Sequence, residues 1–180
     1  MRIIAGKHKG LRFNPPQGFS ARPTTDFAKE SLFNILENQI QIEGKHILDL
    51  FSGSGSITYE FYSRGAASVT SVDSNFENAK FIRKTTQKLG ATNIDIISSE
   101  AIRYIQKCKR KFDLIFCDPP FNYTKYEDLY HAIIQQNIIK PESYIIIEHD
   151  TKHDFSKSQY FSELRKYGHV CFSFFTNFEE

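Results

Sequence analysis

Residues 47–56 read ILDLFSGSGS, and the fold turns on this stretch. Four apolar residues interrupted by one acid make a short, buried-looking strand, and the glycines at 53 and 55 let the chain turn sharply before a helix. Such a turn brings backbone N–H groups up to a ligand at the helix N-terminus. A dinucleotide site expects a third glycine three residues on, to leave room for pyrophosphate. Thr58 stands there instead. Asp49, near the entrance of the turn, repels pyrophosphate and favours a cationic amino group. Asp49, Phe51, Gly53 and Gly55 are therefore candidate binding residues for a nucleoside that carries an amino acid, such as S-adenosylmethionine.

Outward from this turn, short apolar runs alternate with helical patterns. Strands are expected at 47–51, 68–72, 93–97, 112–117 and 144–148, and helices at 57–64, 76–89, 101–108 and 126–136. Runs this apolar suit a parallel sheet covered on both faces, and the alternation implies right-handed crossovers. The runs 164–167 and 170–176 flank Gly168 and His169 and read as a hairpin returning antiparallel on the sheet edge. The expected class is α/β, a doubly wound, Rossmann-like, seven-stranded sheet with an antiparallel C-terminal strand. Ahead of it, MRIIAGKHKGLRF reads as a short β-hairpin, followed by a proline-bearing loop through RPTT and a helix at 26–39 with Leu32, Ile35 and Leu36 on one face. The chain reads as one domain over 1–180, with residues 1–25 as a basic extension and 45–178 as the core.

The strand ends repeat the acid. SVTSVD closes on Asp73, followed by Ser74, where a carboxylate can accept both hydroxyls of a ribose. The third strand leads to Glu100 and Ala101, where Glu100 can accept from an adenine amino group. The fourth runs into Asp118, Pro119, Pro120 and Phe121. One proline suffices to end a strand. Two, followed by an aromatic ring, stiffen the chain where a carboxylate, a carbonyl and a ring can face one small object. Each acid alone reads as a cap or a solvent-facing charge, Glu100 most of all. The ordered set lies at the carboxyl ends of the strands, where open α/β sheets bind ligands.

The net charge of +2 conceals an asymmetry. Arg2, Lys7, Lys9, Arg12 and Arg22 fall in the first 25 residues, which contain no acid. A basic arm on a slightly acidic body fits a polyanionic partner, most simply nucleic acid. The three cysteines form no Cys-x-x-Cys pair and point to neither a disulfide framework nor a zinc site. No apolar run reaches the ~20 residues of a membrane span. A cytoplasmic protein is expected, and nothing demands more than a monomer. EHDTKHD at 148–154 has metal-capable side chains with no catalytic pattern around them, and no metal is expected. KCKRK at 107–111 reads as helix-end cations.

ILDLFSGSGS, VD at the second strand end and DPPF together resemble class I S-adenosylmethionine-dependent methyltransferases that modify exocyclic amino groups. MRIIAGKHKGLRF, ARPTTD and ESLFNIL narrow this, because they resemble the opening of the bacterial RsmD family, which methylates N2 of one guanine in 16S ribosomal RNA. The resemblance runs from residue 1 to the end hairpin, and the amino-terminal signature is its more specific part. It implies S-adenosylmethionine as methyl donor, S-adenosylhomocysteine as product, and ribosomal RNA, naked or within the small subunit, as substrate. The basic arm, Arg2 to Arg22, would then hold phosphates, with Arg22 and Thr24 touching RNA or lining the pocket entrance. Two positions depart from the family pattern. Members often have a basic residue where this chain has Phe27, and Lys29 on the same helix is expected to substitute in part for that phosphate contact. They usually have Asp-Ala where this chain has Glu100-Ala101, which keeps the carboxylate.

An exocyclic amine on a purine is a poor nucleophile, because its lone pair is delocalised into the ring. Acceptors in the amine plane help it rehybridise, and Asp118 with the Pro119 carbonyl are the candidates, while Phe121 stacks on the extracted base. The same chemistry serves adenine N6 in DNA and glutamine in proteins. The short basic arm and the lack of a separate target-recognition domain favour RNA. A reading of a different class is a protein that binds the cofactor and RNA without turnover.

Overall fold

The computed structural model describes residues 1–15, 26–176 and 178, and the backbone alone of residues 26 and 27. Arg22 and Thr24 lie outside the described residues. In chain order the elements are α1 (Asp26–Gln39), β1 (His46–Leu50), α2 (Ser56–Ser63), β2 (Ser68–Asp73), α3 (Phe76–Leu89), β3 (Ile94–Ser98), α4 (Ala101–Lys107), β4 (Phe112–Cys117), α5 (Tyr126–Gln136), β5 (Ile139–His149), β6 (Phe161–Tyr167) and β7 (Val170–Phe175). The strands form one seven-stranded sheet in the order β3-β2-β1-β4-β5-β7-β6. β1 to β5 run parallel, and β7 enters antiparallel between β5 and β6. The last hairpin thus leaves β6, not the final strand, on the edge.

Alternation along β1 divides the core. Leu48 and Leu50 point to a cluster built with Ile105 of α4 and Leu129, Tyr130 and Ile133 of α5. Ile47 points to the other face, with Leu32, Phe33 and Leu36 of α1 and Ile57 and Phe61 of α2. Sheet order reverses direction at β1, which has β2 on one side and β4 on the other, so a crevice opens at the carboxyl ends of these strands.

Several elements differ from expectation; β6, for one, starts at Phe161, three residues before its expected run. Phe51 is not the last residue of β1, because it turns into the left-handed region at φ 62°. β5 starts five residues earlier than its apolar run, at Ile139. Pro141 and Glu142 remain inside it, accommodated by a register shift against β4 and a φ of 57° at Glu142. The amino-terminal hairpin is a single bridge, Arg2 opposite Arg12, flanked by Ile3 N–H donating to the Leu11 carbonyl at 2.9 Å and Gly10 N–H to the Ile3 carbonyl at 2.9 Å. It does not lengthen into strands because the next N–H groups, of Ile4 and Ala5, turn away to a carboxylate on α2. Among the described residues no helix is long and apolar enough to cross a membrane.

Candidate active site

Sheet register brings the candidate residues into line. Leu50 pairs with Val72 of β2 and Cys117 of β4, and Asp73 pairs with Ser98 of β3. The residues next in sequence, Phe51 and Asp118, therefore stand level with Asp73 across the carboxyl edge. Asp49 lies deeper, only 1% exposed, on the face covered by α2. Thr58 Oγ donates to its Oδ2 at 2.5 Å, and the Thr58 backbone N–H also faces it. Burial, reinforced by the nearby charges of Asp118 and Asp73, pushes the Asp49 carboxyl up to about 7. Among the described residues it forms no salt bridge. The residue that breaks the dinucleotide pattern is thus the one that holds this acid.

The turn between β1 and α2 is tightly determined. Gly53 and Gly55 have φ of 53° and 78°, and a Cβ on Gly55 would lie 2.7 Å from the Tyr59 ring. Ser52 Oγ donates to the Asp49 carbonyl at 2.8 Å. Phe51 holds a conformation that costs a non-glycine residue about 1 kcal/mol, and it meets Tyr123 edge-on at 5.2 Å between ring centroids. Strain of that kind persists where surrounding packing over-determines it, and it places the backbone of the turn against the crevice.

Asp73 fastens the same turn. Its Oδ2 accepts Gly53 N–H at 2.8 Å, and its Oδ1 accepts Asn75 N–H at 2.8 Å and the Asn78 amide at 3.1 Å. A carboxylate has about four acceptor sites, so one remains on Oδ2 for a ligand hydroxyl. Ser74 beside it is exposed. Glu100 caps α4, accepting Ile102 N–H at 3.1 Å and Arg103 N–H at 2.8 Å through separate oxygens. Ala101, the first residue of α4, is buried at 3%.

At the end of β4, Asp118 N–H donates to the Leu50 carbonyl at 3.3 Å, and Pro119 is buried while Pro120 is exposed. Tyr123 N–H donates to the Pro120 carbonyl at 2.8 Å, closing the turn that the two prolines stiffen. Phe121, three residues past Asp118, is 80% exposed. Cys117 is no nucleophile, because burial and then the charges of Asp49 and Asp118 hold its thiol well above the usual range.

The arm places Arg2, Lys7, Lys9 and Arg12 on the surface. Lys29 requires a correction. It is 1% exposed, ion-paired to Glu60 at 3.7 Å and hydrogen-bonded to Ser56, so it cannot replace a phosphate contact. Arg110 of KCKRK pairs with Asp95 at 2.5 Å, at the amino end of β4 and away from the crevice. Sequence reading noted Thr58 only as a departure from the dinucleotide pattern, and it missed Glu60. The signal for Glu60 was available in a charge set within the largely apolar and aromatic run ITYEFY, which demands a buried partner.

Comparison with known proteins agrees with this geometry. The family described as conserved hypothetical protein 95 matches residues 1–176. Ribosomal RNA small subunit methyltransferase D of Buchnera aphidicola subsp. Baizongia pistaciae is 35% identical over 150 residues, spanning 83% of this chain and 76% of that protein. The protein of the same name from Escherichia coli K12 is 29% identical over 152 residues, 84% of this chain and 76% of that one. The solved structure of Escherichia coli yhhF superposes with a TM-score of 0.85 at 27% identity, covering 98% of this chain and 97% of that chain. The match over nearly the whole length, from the basic arm to the last strand, shows that the chain belongs to this family, the RsmD family of methyltransferases.

Proposed function

We propose that this chain transfers a methyl group from S-adenosylmethionine to the exocyclic N2 amine of a guanine in the 16S RNA of the small ribosomal subunit, acting in the cytoplasm as a single-domain monomer. The observation that carries the reading is a buried carboxylate, Asp49, that forms no salt bridge among the described residues and lies behind a glycine turn, beneath the strand-end edge on which the proline-stiffened Asp118 stands. The names of the relatives support ribosomal RNA as the substrate class.

Asp49 would balance the amino group of the donor, directly or through water, and Asp73 has one acceptor site for a ribose hydroxyl. Bound there, S-adenosylmethionine supplies an electrophilic methyl group. Asp118 and the Pro119 carbonyl accept from the guanine amine, which concentrates its lone pair towards the methyl carbon. Both are held before the substrate arrives, so little reorganisation opposes transfer. Phe121 stacks on a base that has left its helix, which unpaired or irregular RNA permits most cheaply. As the amine becomes cationic, the Asp118 carboxylate stabilises it and receives its proton. The phosphate chain lies on Arg2, Lys7, Lys9 and Arg12, and Arg22 and Thr24 serve the RNA substrate as well.

The test uses methyl-labelled S-adenosylmethionine with unmethylated small subunits, free ribosomal RNA, duplex DNA and total protein. Label confined to guanine N2 of the small-subunit RNA supports the reading. Label in DNA or protein overturns the substrate, and RNA binding without label overturns the activity.

A further inference from the structure

The basic arm and the glycine turn share one helix. α2 begins at Ser56, where the turn ends, and presents Glu60 and Ser63 to residues 2–8. Glu60 is fully buried, and its carboxylate accepts Ile4 N–H at 2.9 Å through Oε2 and Ala5 N–H at 3.0 Å through Oε1. A charge in such a place must be balanced. Lys29 Nζ lies 3.7 Å from Oε2, and Arg64 donates to Oε1 at 3.0 and 2.9 Å. The same lysine donates to the Arg2 carbonyl and, at 3.1 Å, to the Ser56 hydroxyl. One buried ion pair therefore joins the arm, α1 and the first residue after the turn. Ser63 extends the seam, accepting Lys7 N–H at 2.7 Å on its carbonyl and His8 N–H at 2.9 Å on its hydroxyl. Gly6, at φ 78°, passes so close that a Cβ would fall 1.9 Å from the Ser63 oxygen.

We propose that Glu60 and Lys29 are positioning residues for RNA: their pair clamps the arm's backbone so that Arg2, Lys7, Lys9 and Arg12 meet the phosphate chain as a preformed array at a fixed distance from the donor turn. This rests on the RNA-methylating reading above. The clamp takes hold of backbone N–H and C=O groups and leaves the four basic side chains at the surface, which is the division of labour an anion-presenting platform requires. A loose arm with the same charges would lose conformational freedom on binding, and the clamp removes that loss in advance.

The experiment measures binding of wild-type protein, Glu60→Gln, Gly6→Ala and the double variant to small-subunit ribosomal RNA over a range of salt, with S-adenosylhomocysteine titration as a second readout. Glu60→Gln removes the charge, while Gly6→Ala pushes the arm off Ser63 and leaves the buried pair intact. Each variant is expected to lower RNA affinity about tenfold with a shallower salt slope, because fewer phosphates are engaged at once. Affinity for S-adenosylhomocysteine should move less than about twofold, and the double variant should be no weaker than the weaker single one, since both act through one pose. Unchanged affinity and slope in folded Gly6→Ala would overturn the clamp, and that variant decides alone if Glu60→Gln does not fold. A wild-type protein that binds no RNA would overturn the methyl-transfer reading and the clamp with it.

Discussion

Asp49 and Glu60 are 1% and 0% exposed, and one is held by a residue of α2 while the other belongs to α2, yet they sit in opposite electrostatic company. Glu60 faces Lys29 and Arg64 and takes two backbone N–H groups of the arm. Asp49 has a threonine hydroxyl and the repulsion of two further acids, and its carboxyl rises to about 7. The chain supplies counter-charges to one acid and, among the described residues, none to the other, which the amino group of the proposed donor would complete. A buried carboxylate is thus diagnostic only once its partners are counted.

That contrast breaks most visibly at the crevice. Asp118→Ala should slow methyl transfer about a hundredfold, equivalent to about 3 kcal/mol of barrier, with S-adenosylhomocysteine affinity and melting temperature close to wild type. Comparable loss of donor affinity would move Asp118 from chemistry to binding. At the seam, Glu60→Gln leaves Lys29 buried without its counter-charge and should cost about 3 kcal/mol of stability in a urea titration.

Asp49→Asn should act with the opposite sign on stability. The folded protein holds the Asp49 proton more tightly than the unfolded chain does, since its pKa rises from 3.8 to about 7. Stability from this group is therefore fully present below about pH 4 and lost as pH climbs to 7. Above that window the asparagine variant, free of ligand, should be more stable than wild type by on the order of 2 kcal/mol, measured at pH 8. A destabilised variant at pH 8 would contradict the picture of an uncompensated charge. The smallest effect is expected at Glu100. Its carboxylate is exposed and already caps α4, so Glu100→Gln should lower stability by about 0.5 kcal/mol and donor affinity by less than about threefold.

Much of the fold was legible because its signal is local. Each parallel strand announces itself as a short apolar run, and Gly53, Gly55 and the proline pair mark the turns that end β1 and β4. The limits of β5 were not, since a proline is disfavoured inside a strand, while pairing with β4 on either side of Pro141 and Glu142 carries the strand past them. The acids at the strand ends were also readable as a set, because strand register alone brings Asp73 and Asp118 level. What a side chain does there is a matter of long-range partners. Glu100 spends both oxygens on capping, Asp73 three of its acceptor sites on the turn and α3, and Lys29, a plausible surface cation in sequence, is drawn inside by Glu60, 31 positions away.

The most direct measurement is a calorimetric titration of S-adenosylhomocysteine into wild-type protein and Asp49→Asn between pH 6 and pH 8. If Asp49 is the counter-charge that awaits the ligand's amino group, wild-type affinity rises with pH through 7, with proton release at pH 6, and the asparagine variant binds more weakly with a flat profile. Equal affinity and an unchanged profile in Asp49→Asn would show that the buried acid does not serve the donor.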